Sequence, residues 1–101
     1  MLLDQVNKEL ELTERHLLVL KKVIEKGPIG ILRLAEETEM PTHKVRYSLR
    51  ILEQENLIKP SIHGATEGDM VDKFLSEFEQ KTKSIQEKTA RIREIRNSIE
   101  H

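Results

Sequence analysis

Between residues 43 and 50, His43, Lys44, Arg46, Tyr47 and Arg50 set long or ring-borne hydrogen-bond donors at helical spacing. With Val45, Leu49 and Leu52 as the buried stripe, His43, Tyr47, Arg50 and Gln54 fall within about 40° of the opposite side, at about 100° per residue. Lys44 and Arg46 flank that face at about 100° on either side, and their long stems reach past it. Three of these side chains are fixed cations, and the first carboxylate on the segment is Glu53. Arg suits phosphates and guanine edges, while Lys, Tyr and His suit the nucleic-acid backbone. The competing reading is an ordinary solvated helix face.

Other chemistry has little to stand on. His16, His43, His63 and His101 are not at ligand spacing, and no two lie i, i+4 on a helix. The single Tyr and the scattered Ser residues have no base and orienting acid at recognisable spacing. No glycine-rich phosphate loop is present, and Gly27, Gly30, Gly64 and Gly68 read as turns. Glu36, Glu37 and Glu39 read as a solvated helix end rather than a metal site, since no His or Cys joins them. No enzyme, metal or cofactor is expected.

The cationic face needs a helix and something to hold it. Ile31, Leu34 and Ala35, at i, i+3 and i+4, mark a short helix. Glu39-Met40-Pro41 breaks the pattern. Pro41 suits a first helical position and pushes Met40 out of helical geometry, with Thr42 able to share the capping. The next helix is expected over residues 41–56. Leu57 and Ile58 should then turn back onto the core, and Pro60 restricts LIKPS to an edge strand. His63-Gly64 is expected at the tip of a tight hairpin. The return arm Ala65-Thr66-Glu67 is short, so the wing should be rudimentary, with Lys59 and His63 its only side chains placed for a phosphate or the minor groove. His63 reads equally as an ordinary exposed loop residue.

Helix, turn, basic helix and clipped hairpin in that order are the signature of a winged helix-turn-helix. TERHLLVLKKVIEKGPIGILRLAEETEMPTHKVRYSLRILEQENLIKPS resembles the small prokaryotic, archaeal-type winged helix-turn-helix transcriptional regulators, broadly of the MarR/ArsR type. The resemblance covers roughly residues 13–66. It rests on the helix order and the V-x-x-x-L-x-x-L…LI-x-P rhythm. It implies a homodimer placing two recognition helices in successive major grooves of double-stranded DNA, with Thr42, His43, Lys44, Arg46, Tyr47 and Arg50 at the contact. Three departures stand out: Glu39 in a turn where many such proteins have glycine, the short wing, and no recognisable effector site.

Composition sets the limits. The 101 residues include no Cys and no Trp, with 3% aromatic and 35% charged residues. One small domain with an aliphatic core is expected, with appendages and no disulfide or thiolate metal site. No apolar run approaches the ~20 residues of a membrane span, and a signal-peptide pattern is lacking, so a cytoplasmic protein is the expectation. Lys+Arg number 17 against 18 Asp+Glu, a formal charge of −1. By segment the balance is −2 over residues 1–40, +2 over 41–65 and −1 over 66–101. The only positive block coincides with the basic helix and wing, and a local patch matters more than the sum for groove docking. A near-neutral dimer should still bind nonspecific DNA weakly and with strong salt dependence.

The flanks read as assembly elements. Residues 1–28 are expected as two helical pieces, with Leu2, Leu3, Val6 and Leu10 striping the first and Thr13 capping the second. In the second, Leu17, Leu20 and Ile24 share a face bordered by Val23, and Gly27-Pro28 stops it. After a cap at Thr66 or Asp69, Val71, Phe78, Ile85, Ile92 and Ile99 recur every seven residues. Phe74, Leu75 and Ile95 add a second seam at the ends, while Lys81, Thr82, Lys88 and Thr89 interrupt it. That pattern predicts a long helix with coiled-coil character that pairs with another subunit, antiparallel or crossed, or else folds partly back on its own domain.

The expected fold is therefore mainly α: a winged helix-turn-helix with a minimal β-wing and a long C-terminal dimerisation helix. Its segments are 1–12 (a helical dimer contact), 13–66 (the winged domain) and 67–101 (the coiled-coil-like helix). Thr42, His43, Lys44, Arg46, Tyr47, Arg50, Lys59 and His63 are the candidate DNA contacts. Leu3, Val6, Val71, Phe74, Phe78, Ile85, Ile92, Ile95 and Ile99 are the candidate dimer contacts. The expected function is transcriptional regulation by a DNA-binding homodimer. The alternative is a winged-helix protein-interaction module that pairs its C-terminal helix with a partner protein.

Overall fold

The computed structural model describes residues 1–99. Along the chain run α1 (Leu2–Lys26), α2 (Ile31–Thr38), α3 (Thr42–Gln54), β1 (Ile58–Ser61), β2 (Gly64–Glu67) and α4 (Val71–Ile99). The chain is mainly helical, with one small antiparallel hairpin and a long last helix. It divides into two units, Met1–Val71 and the helix from Asp72 onward. The expected run of that helix to His101 lies outside the described residues. No helix among the described residues is long and apolar enough to cross a membrane.

The first 26 residues form one helix rather than two pieces. Thr13 does not cap a new helix; its hydroxyl donates to the Glu9 carbonyl at 2.9 Å, inside the continuous turn. Nothing between Leu2 and Lys26 breaks helical geometry, because Gly and Pro first appear at 27 and 28. The buried sector also differs from expectation. Val19, Leu20 and Val23 are buried, whereas Leu17 is half-buried and Ile24 exposed. The buried face is thus rotated toward Val19 and Val23, and half-buried His16 shares it and meets α3.

Helices α2 and α3 end in the same way. The Met40 N–H bonds the Ala35 carbonyl at 3.1 Å and the Glu39 N–H bonds the Glu36 carbonyl at 3.3 Å. At the end of α3, Leu57 N–H bonds Leu52 O at 2.9 Å and Asn56 N–H bonds Glu53 O at 3.0 Å. Both are Schellman closures that satisfy the last carbonyls and turn the chain through a left-handed residue. Those residues are Glu39 (φ 55°) and Asn56 (φ 58°). Pro41 stands just before α3 as its N-cap, at φ −64° and ψ 151°, not inside it as expected. Its extended ψ lets the helix start at Thr42.

In the hairpin, Ile58 pairs with Glu67, Lys59 with Thr66, Pro60 with Ala65 and Ser61 with Gly64. The two-residue tip is therefore Ile62-His63, one residue earlier than expected. Ala65 also bridges to Ile29, with Ile29 N–H to Ala65 O at 3.0 Å and Ala65 N–H to Ile29 O at 2.8 Å. Because Ala65 spends both backbone groups on Ile29, Pro60 faces a non-hydrogen-bonded position and its missing N–H falls on the open edge. Gly64, at φ 121°, makes this possible: a Cβ there would sit 2.4 Å from the Ile29 carbonyl carbon.

The core of the first unit is aliphatic: Val19, Leu20, Val23, Ile29, Leu34, Val45, Leu52, Leu57, Ile58 and Val71. Val71 thus belongs to this core, and it does not serve the dimer stripe where the sevenfold spacing placed it. Neither expected cap opens α4. Thr66 is in β2, and Asp69 pairs with Lys59 at 3.2 Å. Gly68 N–H on Leu57 O (2.9 Å) and Met70 N–H on Asn56 O (3.0 Å) hold the chain to the end of α3, so helix begins only at Val71.

Along α4, Phe74 and Phe78 are half-buried and meet edge to face at 5.6 Å. Leu75, Ile85, Ile92, Ile95 and Ile99 are exposed. So are Leu2, Leu3, Val6 and Leu10 on α1.

Candidate nucleic-acid interface

Helix α3 is divided sharply between its two sides. Val45, Ser48 and Leu52 are buried, and Leu49 and Ile51 are half-buried. His43, Lys44, Arg46, Tyr47 and Arg50 are exposed, with Thr42 half-buried at the first turn. The structure thus brings the six expected α3 contacts onto the amino-terminal two and a half turns of one helix. No acidic residue lies in the first turn, where a carboxylate would compete with a phosphate.

The cations of this face stand apart electrostatically. Among the described residues, Lys44, Arg46 and Arg50 make no salt bridge, whereas Lys26 and Arg33 both reach Glu37, and Lys22 reaches Glu25. The hydrogen bond from Lys26 holds the Glu37 carboxyl below the usual carboxylate range, aided by the positive charges of Lys26, Lys22 and Arg33. That neutralises Glu37, while Glu36 and Glu39 beside it make no salt bridge among the described residues. Among the described residues no three His, Asp or Glu side chains gather as metal ligands.

What fixes α3 from behind was not legible as a site. His16 Nδ1 lies 2.7 Å from the hydroxyl of fully buried Ser48. The His16 ring also stands 5.7 Å from the ring of Tyr47, tilted by 50°. Tyr47 therefore leans on α1 with one side of its ring while remaining 42% exposed. Burial holds the His16 pKa below the ordinary histidine value, and the nearby Arg15 charge pushes the same way against a smaller opposing effect of Glu9. A sequence signal did exist, since His16, Leu20 and Val23 stand at i, i+4 and i+7.

The hairpin contributes differently from expectation. Lys59 is occupied by Asp69, so its charge is partly neutralised. His63 is exposed at the tip, its backbone N–H donating to the Ser61 hydroxyl oxygen at 3.2 Å, while that hydroxyl donates to Gly64 O at 2.6 Å. These bonds brace the turn. Ile62 beside it, which sequence reasoning passed over, is 97% exposed. A concavity lined by Ile31, Leu49, Glu53, Ile58, Pro60 and Ala65 lies where α3 meets the hairpin. Compared with known families and curated proteins, the chain matches no family model and no curated protein.

Proposed function

We propose that the first unit is a winged helix-turn-helix that binds double-stranded DNA, and that the chain acts as a homodimeric transcriptional regulator. Helices α2 and α3 with their tight turn form the reading element, α3 enters the major groove, and β1–β2 is a minimal wing. The observation that carries this reading is the exposed, unbridged cation set Lys44, Arg46 and Arg50, displayed by a helix whose opposite side is locked into the core. Arg46 and Arg50 contact phosphate or guanine, Lys44 neutralises phosphate, and Thr42, His43 and Tyr47 donate hydrogen bonds. His63 is the wing residue left for a neighbouring phosphate, since Lys59 must first leave Asp69.

Backbone amide shifts of isotope-labelled protein titrated with a generic duplex test this directly. Perturbations should concentrate in residues 41–50 and 61–64. Perturbations absent from α3 would contradict the assignment.

A second reading, a protein-interaction module, draws support from the exposed apolar residues Ile62 and Leu32 (76% exposed) on the same unit. In that case a duplex would leave the amide spectrum unchanged and a partner protein would move Ile62 and Leu32.

A further inference from the structure

Helix α4 carries its charges in two blocks. Residues 71–80 hold Asp72, Glu77 and Glu79 against Lys73, a balance of −2, and residues 81–99 hold six cations against Glu87 and Glu94, a balance of +4. Several of its apolar positions are symmetric about Ile85: Phe78 and Ile92 stand seven residues to either side, and Leu75 and Ile95 stand ten, whereas Phe74 mirrors Arg96 and Ile99 mirrors the core residue Val71. Ile85, Ile92, Ile95 and Ile99 are all 44–78% exposed. On a straight helix Phe78, Ile85 and Ile92 lie within about 40° of one another, a single narrow seam.

We infer that α4 pairs with α4 of a second copy of this chain, antiparallel and centred on Ile85. This rests on the homodimer proposed above and specifies its partner surface and direction. In that alignment Ile85 meets its own copy, and Phe78 and Leu75 come level with Ile92 and Ile95 of the other copy. Glu77 and Glu79 fall within two residues of the level of Arg93 and Arg91 across the pair. Glu77 makes only a long 3.8 Å approach to Lys81, and Glu79, Arg91 and Arg93 make no salt bridge among the described residues. The cations that bracket Ile85 near the seam, Lys81 and Lys88, come level with Thr89 and Thr82.

A parallel, in-register pair does the reverse at each of these places. It sets the acidic block on the acidic block and the basic on the basic, and brings Lys81 and Lys88 against their own copies in the seam. Like charges juxtaposed across an interface select against that arrangement. Apolar burial drives pairing in either direction, so charge decides the direction.

The absence of native cysteine allows single spin labels on the full chain. A label at Gln86→Cys should lie within about 15 Å of its copy, helix axes in such pairs being 8–10 Å apart. A label at Asn97→Cys should lie about 36 Å from its copy along the axis, twelve residues from the centre on each side at 1.5 Å per residue. Short distances at both positions mean a parallel pair and overturn the inference, while leaving DNA binding by α3 intact. No dipolar coupling at either position means that α4 does not pair with itself, which overturns the inference; a chain that still sediments as a dimer would then be held together elsewhere.

Charge reversal gives an independent check by sedimentation. Glu77→Lys with Glu79→Lys should weaken the dimer by about tenfold or more, from four attractive contacts made repulsive. Adding Arg91→Glu and Arg93→Glu should restore it. An unchanged dissociation constant in the first variant, or no recovery in the second, overturns the antiparallel assignment. None of these substitutions touches α3, so loss of DNA binding in an Arg46 and Arg50 variant would leave the pairing result standing.

Discussion

The Nδ1 atom of His16 on α1 lies 2.7 Å from Oγ of Ser48, a fully buried hydroxyl on the inner side of α3. It joins the long first helix to the helix that carries the cationic face, and Tyr47 next to Ser48 rests on the same imidazole. No buried side-chain polar atom among the described residues lacks a partner. Removing the hydroxyl in Ser48→Ala strands the ring nitrogen, and unfolding in urea should show a loss of about 1–2 kcal/mol.

The same histidine gives a pH dependence of definite sign. Its folded pKa lies below the ordinary value, chiefly through burial. The unfolded chain therefore takes up the proton first as pH falls, and the fold loses stability. The His16 contribution is fully present above about pH 6.5 and is lost as pH drops from there toward the lower folded value. Urea midpoints measured between pH 8 and 5.5 should fall in the acid half for the wild type. His16→Gln should show a flatter profile over that window; parallel profiles would mean that other groups set the slope.

Glu39 occupies a left-handed conformation that costs an L-residue roughly 1–2 kcal/mol and glycine almost nothing. Glu39→Gly should therefore stabilise the first unit by about 1 kcal/mol, raising its melting temperature by about 4–8 °C in a calorimetric scan. Asn56 is in the same conformation but is a residue type that tolerates it, so Asn56→Gly should gain less.

Gly64 is the opposite case. A methyl group there meets the Ile29 carbonyl carbon at 2.4 Å at a backbone angle unfavourable to any side chain. Gly64→Ala should cost about 2 kcal/mol or more, and loss of hydrogen-exchange protection at Ile29 and Ala65 would show that the bridge had opened.

Much of this architecture was legible because periodicity and turn chemistry agreed. Ile31, Leu34, Val45 and Leu52 marked α2 and α3, and Pro60 marked an edge strand, as the hairpin register shows. Three features were not. The join at Thr13 was misplaced because a threonine inside a helix can satisfy its hydroxyl on the i−4 carbonyl, so a capping residue alone does not establish a break. The partner of His16 was not legible either: its spacing with Leu20 and Val23 marks an inward face, but Ser48 stands 32 residues away and no local pattern joins the two. Val71 obeyed the sevenfold spacing of α4 yet sits in the core, because spacing records a face and says nothing of what that face meets. On the cationic face, sequence gave residue types and helical phase, whereas the pairing of Lys59 with Asp69 needed the fold.

The most direct test of the central claim is fluorescence anisotropy of the full chain on a labelled duplex across a salt series. Wild-type affinity should fall steeply and linearly on a log–log plot, with Lys44→Ala lowering the slope by about one and Arg50→Ala costing about 1–3 kcal/mol on a specific site. The Arg46→Ala, Arg50→Ala variant should lose most of the binding and most of the slope. Undiminished binding by that double variant, or no wild-type binding at low salt, would contradict the assignment of α3 as the DNA face.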